Sequence, residues 1–212
     1  MSLNPRFAYW DGEMDAKWDT AHRKCPNRWP TFKAALTLAS QKCLQDPLMI
    51  IETGCQREAE DWGAGMSTSL FSEFLSGKFG RLIVIDNNGE HLERAKRLVP
   101  GADDVVWCRK DSVEWLGSIS NNPEVNLLYL DSFDYPIDPS KPTYAAEVIA
   151  SQEHCLREVR AAAKSGVLSD RTVLLIDDCM EGGGKPGLAK EWLIANGWTL
   201  VLELAQTLWV KI

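Results

Sequence analysis

Residues 48–54, with the sequence LMIIETG, decide the fold that this chain is expected to adopt. The four consecutive apolar residues 48–51 are typical of a short strand that is buried on both faces, as in a parallel sheet. The run ends in Glu52-Thr53-Gly54, where two polar side chains and a glycine follow directly on the strand. Open parallel sheets bind ligands at the carboxyl ends of their strands. These three residues are therefore the first candidates for a binding site.

The same alternation of strand and helix continues along the chain. Further apolar runs, separated by helical patterns, predict strands at 81–85, 105–108, 125–130 and 172–176. Two more strand-like runs, 198–204 and 207–210, are joined so tightly that they must pair antiparallel. We therefore predict an α/β fold: a Rossmann-like, seven-stranded, mainly parallel sheet with helices on both faces and a C-terminal antiparallel hairpin.

The first 46 residues differ in pattern from the rest of the chain. Prolines interrupt any long helix before residue 31, and Thr31 is a candidate N-cap for a helix that runs to about Gln45. We therefore divide the chain into an N-terminal extension with one helix packed on the core, residues 1–46, and a ligand-binding domain, residues 47–212.

Composition excludes several classes of partner. The chain has 212 residues, a formal net charge of -7 and 25% charged residues. An acidic surface without a basic cluster repels phosphate backbones, so no nucleic-acid partner is expected. No apolar run is long enough to cross a bilayer, so no membrane partner is expected either. The six cysteines form no CxxC pair and are expected to be reduced thiols of a cytoplasmic protein.

Acidic side chains follow the later strands as well. They are Asp86 with Asn87 after the second strand, Asp111 with Ser112 after the third, Asp131 after the fourth, and Asp177 with Asp178 after the fifth. Any one of these acids is also explained as the N-cap of the next helix, but capping explains the whole series less well than a shared ligand does. Asp86 is placed for the vicinal hydroxyls of a ribose, and Asp111 for an adenine amino group.

The loop after the first strand contains glycines but no dinucleotide-binding motif. It continues from Gly54 through residues 57–62 to Gly63-Ala64-Gly65 and then Ser67-Thr68. Glycine lets the backbone approach a ligand closely, yet the GxGxxG motif requires a third glycine where Thr68 stands. The missing glycine argues against an NAD-dependent oxidoreductase, which stays an alternative because Asp86 could equally bind the ribose of NAD. A non-catalytic ligand-binding module of the same fold is a second alternative.

The ordered set of motifs resembles the class I S-adenosylmethionine-dependent methyltransferases. The motifs are ETG, GxGxST, VID, KDS, LYLDSFD and LIDD, in that order, over about residues 48–212. The resemblance implies S-adenosylmethionine as the cofactor, with Glu52 and Gly54 at its methionine part, Asp86 at its ribose, and Asp111 and Ser112 at its adenine. Further candidates for cofactor binding are Thr53, Gly65, Ser67, Asn87 and Asp131.

Three of the strand-end acids predict a metal site. Asp131, Asp177 and Asp178 would repel one another unless protons or a cation neutralised them, and hard oxygen ligands suit Mg²⁺. The set resembles the metal triad of catechol-type and macrocin-type O-methyltransferases. That resemblance implies methyl transfer to a hydroxyl group of a small molecule, with the metal lowering the pKa of the hydroxyl. Ordinary solvent-exposed acids are the alternative.

The general base and the acceptor are less well defined by the sequence. The candidate catalytic residues are Asp131, Asp134 and His154, although a lone histidine on a helix is more often structural. Lys185, in a Gly-rich turn, is a candidate contact for an acceptor carboxylate or phosphate, and the Pro-rich loop 132–142 is a candidate lid. Sugar, phenol and polyketide hydroxyls all fit as acceptors, N-methylation is an alternative, and a homodimer is one option for the oligomeric state.

Overall fold

The structure, a computed structural model, describes residues 16–19, 28–43, 47–60, 66–76, 80–119, 124–180 and 183–211. Within these residues seven strands form one sheet. They are β1 (Leu48–Thr53), β2 (Gly80–Asp86), β3 (Val105–Arg109), β4 (Leu127–Leu130), β5 (Val173–Ile176), β6 (Trp198–Glu203) and β7 (Thr207–Lys211). The predicted seven-stranded α/β fold is confirmed.

The order of the strands places a crevice at the end of β1. The sheet runs β3-β2-β1-β4-β5-β7-β6, with β1 to β5 parallel and β7 antiparallel to both of its neighbours. The chain runs outward from β1 to β3 and then returns to the other side of β1 as β4. This reversal is a topological switch point, where the loops after β1 and β4 diverge and ligands of such sheets bind.

Helices cover both faces of the sheet. They include α1 (Trp29–Lys42), α2 (Ser67–Leu75), α3 (Gly89–Leu98), α4 (Ser112–Ser118), α5 (Tyr144–Lys164) and α6 (Gly187–Ala195), with a 3₁₀ turn at Ala102–Asp104, and residues 16–19 are helical as well. The sequence pattern predicts helices over residues 89–98 and 144–164, and α3 and α5 have these bounds. For α3 the reason is local, because Asn88 caps it by accepting the Glu90 N–H at 2.9 Å and the chain reaches Pro100 soon after it ends.

The predicted start of the first helix is wrong. The helix begins at Trp29, two residues before Thr31, and Pro30 lies in its first turn. Proline is tolerated there because the first N–H groups of a helix have no intrahelical acceptor. Thr31 is not the N-cap: its hydroxyl donates to the Arg28 carbonyl oxygen at 2.8 Å, inside the first turn.

The two faces of the sheet are packed by two separate apolar clusters. On one face, α1 and α2 pack Phe32 and Phe71 against Tyr129 of β4, with ring centroids 5.5–5.8 Å apart. Because side chains alternate along a strand, Leu128 and Leu130 of β4 face the other cluster, which α4, α5 and α6 cover. Tyr129 therefore stands under the crevice, and its hydroxyl reaches the carboxyl end of the sheet.

Two further expectations concern membrane spans and the state of the cysteines. No helix in the described ranges combines the length and the apolar character that a membrane span requires. Cys55, Cys108, Cys155 and Cys179 are free thiols. The cytoplasmic location stays a prediction.

Candidate active site at the carboxyl ends of the strands

Thr53 and Gly54 lock the end of β1 against the end of β4. Gly54 has a φ of +84°, and a Cβ at this position would lie 2.4 Å from the carbonyl oxygen of Asp131. Thr53 is buried, and its carbonyl oxygen and hydroxyl accept the Asp131 N–H at 3.0 and 3.3 Å. Only glycine combines this φ with so close an approach. Both residues thus place Asp131, and their contact with a cofactor stays a prediction.

Glu52 is a buried carboxyl group beneath the crevice, with 1% of the residue exposed. Ser67 donates its hydroxyl to Oε1, while Oε2 has no hydrogen-bond partner in the described part of the chain. Burial raises the pKa of Glu52 to about 8, against the opposing effect of the Ser67 and Thr68 hydroxyls. At neutral pH this group is therefore mainly in its protonated form.

The loop after Gly54 is tied to the start of α2 by polar contacts. The Thr68 hydroxyl accepts the Gln56 N–H at 2.9 Å, and Ser69 donates its hydroxyl to the Gln56 side chain at 2.5 Å. Gly63 and Gly65 belong to residues 61–65, outside the described residues, so the predicted role of Gly65 stays a prediction.

A small cavity lies where β2, β3 and β4 end. Its volume is about 50 Å³, and its lining includes the predicted cofactor residues Asp86, Asn87, Asp111 and Ser112, together with Ser132, Phe133 and His154. The structure therefore brings together the residues that were assigned to the ribose and the adenine.

The capping alternative holds for one of these acids and fails for the other. Asp111 caps α4, because its Oδ1 accepts the Glu114 N–H at 2.9 Å. Asp86 does not cap α3, since Asn88 does. Instead Oδ1 of Asp86 accepts the Asn88 N–H at 2.7 Å, and Oδ2 lies 3.4 Å from the Cys55 thiol. Asp86 is thus held in place at the cavity without capping the helix, and His91 of α3 lies 3.5 Å from its Oδ2.

His154 lies at the small cavity and not among the other candidate catalytic residues. Its Nε2 is 2.9 Å from the Ser132 hydroxyl and 3.2 Å from the Ser112 hydroxyl, and its ring packs on Phe133 with centroids 5.2 Å apart. Ser132 also donates to the buried Glu158 at 2.7 Å. These contacts favour a structural or cofactor-facing role over that of a general base.

The three acids that were predicted to bind a metal lie together, with two buried cations among them. Lys185 Nζ lies 2.6 Å from Asp131 Oδ1 and 3.1 Å from Asp178 Oδ2. Arg28 Nε lies 2.8 Å from Asp177 Oδ1, and its terminal Nη2 lies 3.3 Å from Asp178 Oδ1. We call these five residues the ion cluster. Lys185 is buried here, so the predicted contact with an acceptor anion is wrong.

The ion cluster does not fit a divalent metal. The metal was predicted because the three carboxylates repel one another, and the two cations offset that repulsion. Their N–H groups lie against oxygens of all three carboxylates. The described residues hold no group of three or more metal-ligating side chains arranged for an ion. Burial lowers the pKa of Lys185, but Asp131 and Asp178 outweigh it and raise the value above its ordinary range, so the ammonium stays charged. Mg²⁺ therefore finds no support here.

The ion cluster has three carboxyl groups and two cations, so one negative charge is in excess. Burial raises the pKa of Asp131 to about 8, although Lys185 opposes the rise. Beneath it, Tyr129 donates its hydroxyl to Asp177 Oδ2 at 2.5 Å, and burial raises the pKa of this phenol well above its ordinary value. Tyr129 is thus a fixed donor to Asp177, and Asp131 has its ion pair with Lys185.

A larger cavity, of about 600 Å³, lies above the ion cluster. Asp131, Asp177, Asp178 and Arg28 line one side, and the loop residues Phe133, Tyr135, Pro136 and Ile137 line the other. Asp134 also faces this cavity, but Arg57 holds it with two contacts of 2.9 Å and lowers its pKa. A carboxylate stabilised in this way is a weak base, which argues against Asp134 as the proton acceptor.

Another groove, of about 960 Å³, lies between α3 and the edge strand β3. Its lining includes Trp107, Arg109 and Arg97 but none of the strand-end acids. Asn88 and Gly89, which follow β2, also line it, but no residue of β1, of β4 or of the loops that follow them does, so the cavity above the ion cluster is the better candidate for an acceptor site.

Solved methyltransferases share this fold. No protein-family model matches the sequence, and no curated protein does. The chain is similar to the N-methyltransferase NodS from Bradyrhizobium japonicum WM9 in complex with S-adenosyl-L-homocysteine, at 13% identity and a TM-score of 0.51, covering 98% of this chain and 95% of that chain. It is also similar to a human methyltransferase 10 domain containing protein, at 12% identity and a TM-score of 0.51, covering 88% of this chain and 82% of that chain. The narrower resemblance to catechol-type and macrocin-type enzymes stays a prediction. At these identities the likeness shows the fold alone: this chain has the Rossmann-like fold of class I methyltransferases.

Proposed function

We propose that the chain is an S-adenosylmethionine-dependent methyltransferase that methylates a hydroxyl group of a small molecule. The observation that carries the proposal is the position of two cavities side by side at the switch point. The small one has Asp86 and Ser112 in its wall, the large one has Asp131, and Phe133 lines both. A cofactor with its ribose and adenine against the residues of the first cavity, which at about 50 Å³ is too small to enclose the whole molecule, and an acceptor in the second would meet at the end of β4.

The proposed reaction is an in-line methyl transfer. S-Adenosylmethionine, when bound, would supply the methyl group: the acceptor oxygen would bond to the methyl carbon, the bond from that carbon to sulfur would break, and its electron pair would stay on sulfur to give S-adenosylhomocysteine. The hydroxyl proton would pass to Asp131 in its carboxylate form, whose share grows as the pH rises toward and above the pKa of about 8. Support for this role comes from the location of Asp131 in the cavity wall, with a quarter (25%) of its side chain exposed. A positioned base contributes about 10²- to 10⁴-fold to such a rate.

Calorimetric titration tests the cofactor half of the proposal. We expect S-adenosylmethionine and S-adenosylhomocysteine to bind at one site and NADH not to bind. Asp86→Asn is expected to weaken binding by about tenfold or more, since a charge-assisted hydrogen bond is lost. Asp104→Asn, at an exposed acid of the 3₁₀ turn, is the matched control. Failure of both ligands to bind the wild-type protein would refute the proposal.

The acceptor half is tested by product formation. Phenols, sugars and polyketide-like alcohols, with amines as a contrasting class, are incubated with protein and S-adenosylmethionine, and S-adenosylhomocysteine is measured by mass spectrometry. Turnover of hydroxylated acceptors, reduced in Asp131→Asn, is the expected result. Turnover of amines alone would show that the acceptor is an amine and would refute the proposed hydroxyl acceptor.

A further inference from the structure

Lys185 is a buried lysine whose ammonium group lies between carboxylates of two strands. Its side chain is 1% exposed, and Nζ contacts Asp131 after β4 and Asp178 after β5 at 2.6 and 3.1 Å. Lysine is almost never fully buried unless it is paired. Lys185 thus bridges the ends of β4 and β5, at the place where a bridging metal ion would have to lie.

The Gly-rich turn before α6 is shaped to deliver Lys185 to that place. Gly184 has a φ of +57°, and a Cβ there would lie 2.1 Å from the carbonyl oxygen of Asp178. The Lys185 N–H donates to that same carbonyl at 2.9 Å, and Gln152 donates its side-chain amide to the Gly184 carbonyl at 2.9 Å. The backbone of the turn is therefore fixed on both sides, which fixes the origin of the lysine side chain.

Arg28 supplies the second cation from a distant part of the chain. It contacts Asp177 at 2.8 Å and Asp178 at 3.3 Å, so Asp178 touches both cations, while the ion pair of Asp131 at 2.6 Å is with Lys185. Loss of Lys185 would therefore leave Asp131 beside Asp178 without a cation between them. Opposed carboxylates of this kind are the ligands that Mg²⁺ and Mn²⁺ prefer.

We propose that Lys185 is the resident cation of the ion cluster and a positioning residue for Asp131, so that methyl transfer requires no divalent metal. The part about methyl transfer rests on the proposed function; the part about the cation does not. The ammonium group holds Oδ1 of Asp131 and keeps the carboxylate at the cavity wall, and it excludes a divalent ion from the same position by charge and by volume.

Manganese binding tests the proposal directly. Protein freed of metal with EDTA is titrated with Mn²⁺ in the absence of cofactor and acceptor, and bound ion is followed by electron paramagnetic resonance. We expect no saturable site in the wild type and one site in Lys185→Met. The affinity of that site should exceed the background binding of Mn²⁺ to the wild type by about tenfold or more. Lys190→Met is the matched control, because Lys190 pairs with Glu203 at 2.7 Å outside the ion cluster, and it should behave as the wild type.

A saturable Mn²⁺ site in the wild type that Mg²⁺ competes for would overturn the proposal, and this measurement needs no variant. A folded Lys185→Met protein that binds Mn²⁺ no better than the control would also overturn it. Should that variant fail to fold, Lys185→Gln takes its place, and its Mn²⁺ affinity is compared with those of the control and the wild type in the same way. Turnover that survives EDTA supports the catalytic part, and turnover that EDTA abolishes and Mg²⁺ restores overturns it. A wild type that does not bind S-adenosylmethionine counts against the proposed function instead, and the Mn²⁺ result still stands.

Discussion

Replacing Glu52 by glutamine is expected to change how stability depends on pH. The folded protein holds the pKa of Glu52 near 8, because the group is buried, whereas the unfolded chain has the ordinary value of 4.5. Below pH 4.5 the carboxyl group is protonated in both states and makes no pH-dependent difference. Between the two values the unfolded chain has lost the proton and the folded protein has kept it. Stability is therefore lost as the pH rises, until it levels off above about pH 8.

The size of the effect follows from the same two values. Each pH unit in this interval corresponds to about 1.4 kcal/mol, so a rise from 4.5 to about 8 corresponds to at most about 5 kcal/mol. Glu52→Gln does not lose stability in this way, because an amide does not ionise, and it keeps an acceptor for the Ser67 hydroxyl. We expect the variant to match the wild type near pH 5 and to exceed it by about 2 to 4 kcal/mol at pH 8.

Urea unfolding at pH 5, 6, 7 and 8, followed by fluorescence of the nine tryptophans, measures this difference. Other titrating groups cancel because only the difference between variant and wild type is used. Glu153→Gln, at an exposed glutamate of α5, is the control and should give a constant difference. An equal difference between Glu52→Gln and wild type at pH 5 and pH 8 would refute the reasoning.

Two further substitutions test the geometry of the site. Gly54→Ala forces a side chain into positive φ and a 2.4 Å contact, and is expected to cost about 2 to 4 kcal/mol. Gly117→Ala, whose Cβ would have 3.8 Å to its nearest neighbour, is the matched control; equal melting temperatures for the two would contradict the argument. Tyr129→Phe removes the hydroxyl that donates to Asp177 at 2.5 Å and keeps the ring, so it is expected to cost about 1 to 3 kcal/mol in urea unfolding. A loss within experimental error would show that Asp177 does not need this donor.

The sequence predicted the sheet because its signals are local. Apolar runs bounded by turns identified all seven strands within about two residues, and caps and prolines defined α3 and α5. The start of α1 was misplaced because Thr31 is a good N-cap type, while proline in a first turn leaves no stronger local mark. The true reason for Thr31 is a buried contact with Gln206, 175 residues away, which no local pattern contains.

The site was predicted less completely because its acids pair with cations that lie far away along the sequence. The strand-end acids were found, since parallel strands bring their carboxyl ends to one edge. Arg28 was missed, because it meets Asp177 across 149 residues and lies next to no motif. Lys185 was noticed but assigned to the acceptor, since the sequence does not show that its side chain is buried. Tyr129 had a usable signal, because side-chain alternation places it on the same face of β4 as Asp131.

The acids at the strand ends form one series in the sequence and divide into classes in the structure. Asp111 caps a helix, and Asp177 and Asp178 are paired with cations. Asp131 is also paired with a cation, Lys185, whereas Asp86 is held by the Asn88 N–H, and all five acids line one of the two cavities. A carboxylate has two oxygens and about four acceptor positions, so a donor from the protein removes capacity for a ligand. A strand-end acid is therefore a ligand candidate only to the extent that neighbouring elements leave its oxygens open. By that criterion a metal at the acidic triad loses its basis, because Lys185 and Arg28 already contact the carboxylate oxygens. Glu52 differs, because its buried Oε2 has no hydrogen-bond partner in the described residues, and the crevice around Glu52-Thr53-Gly54 stays the place that we propose for the cofactor.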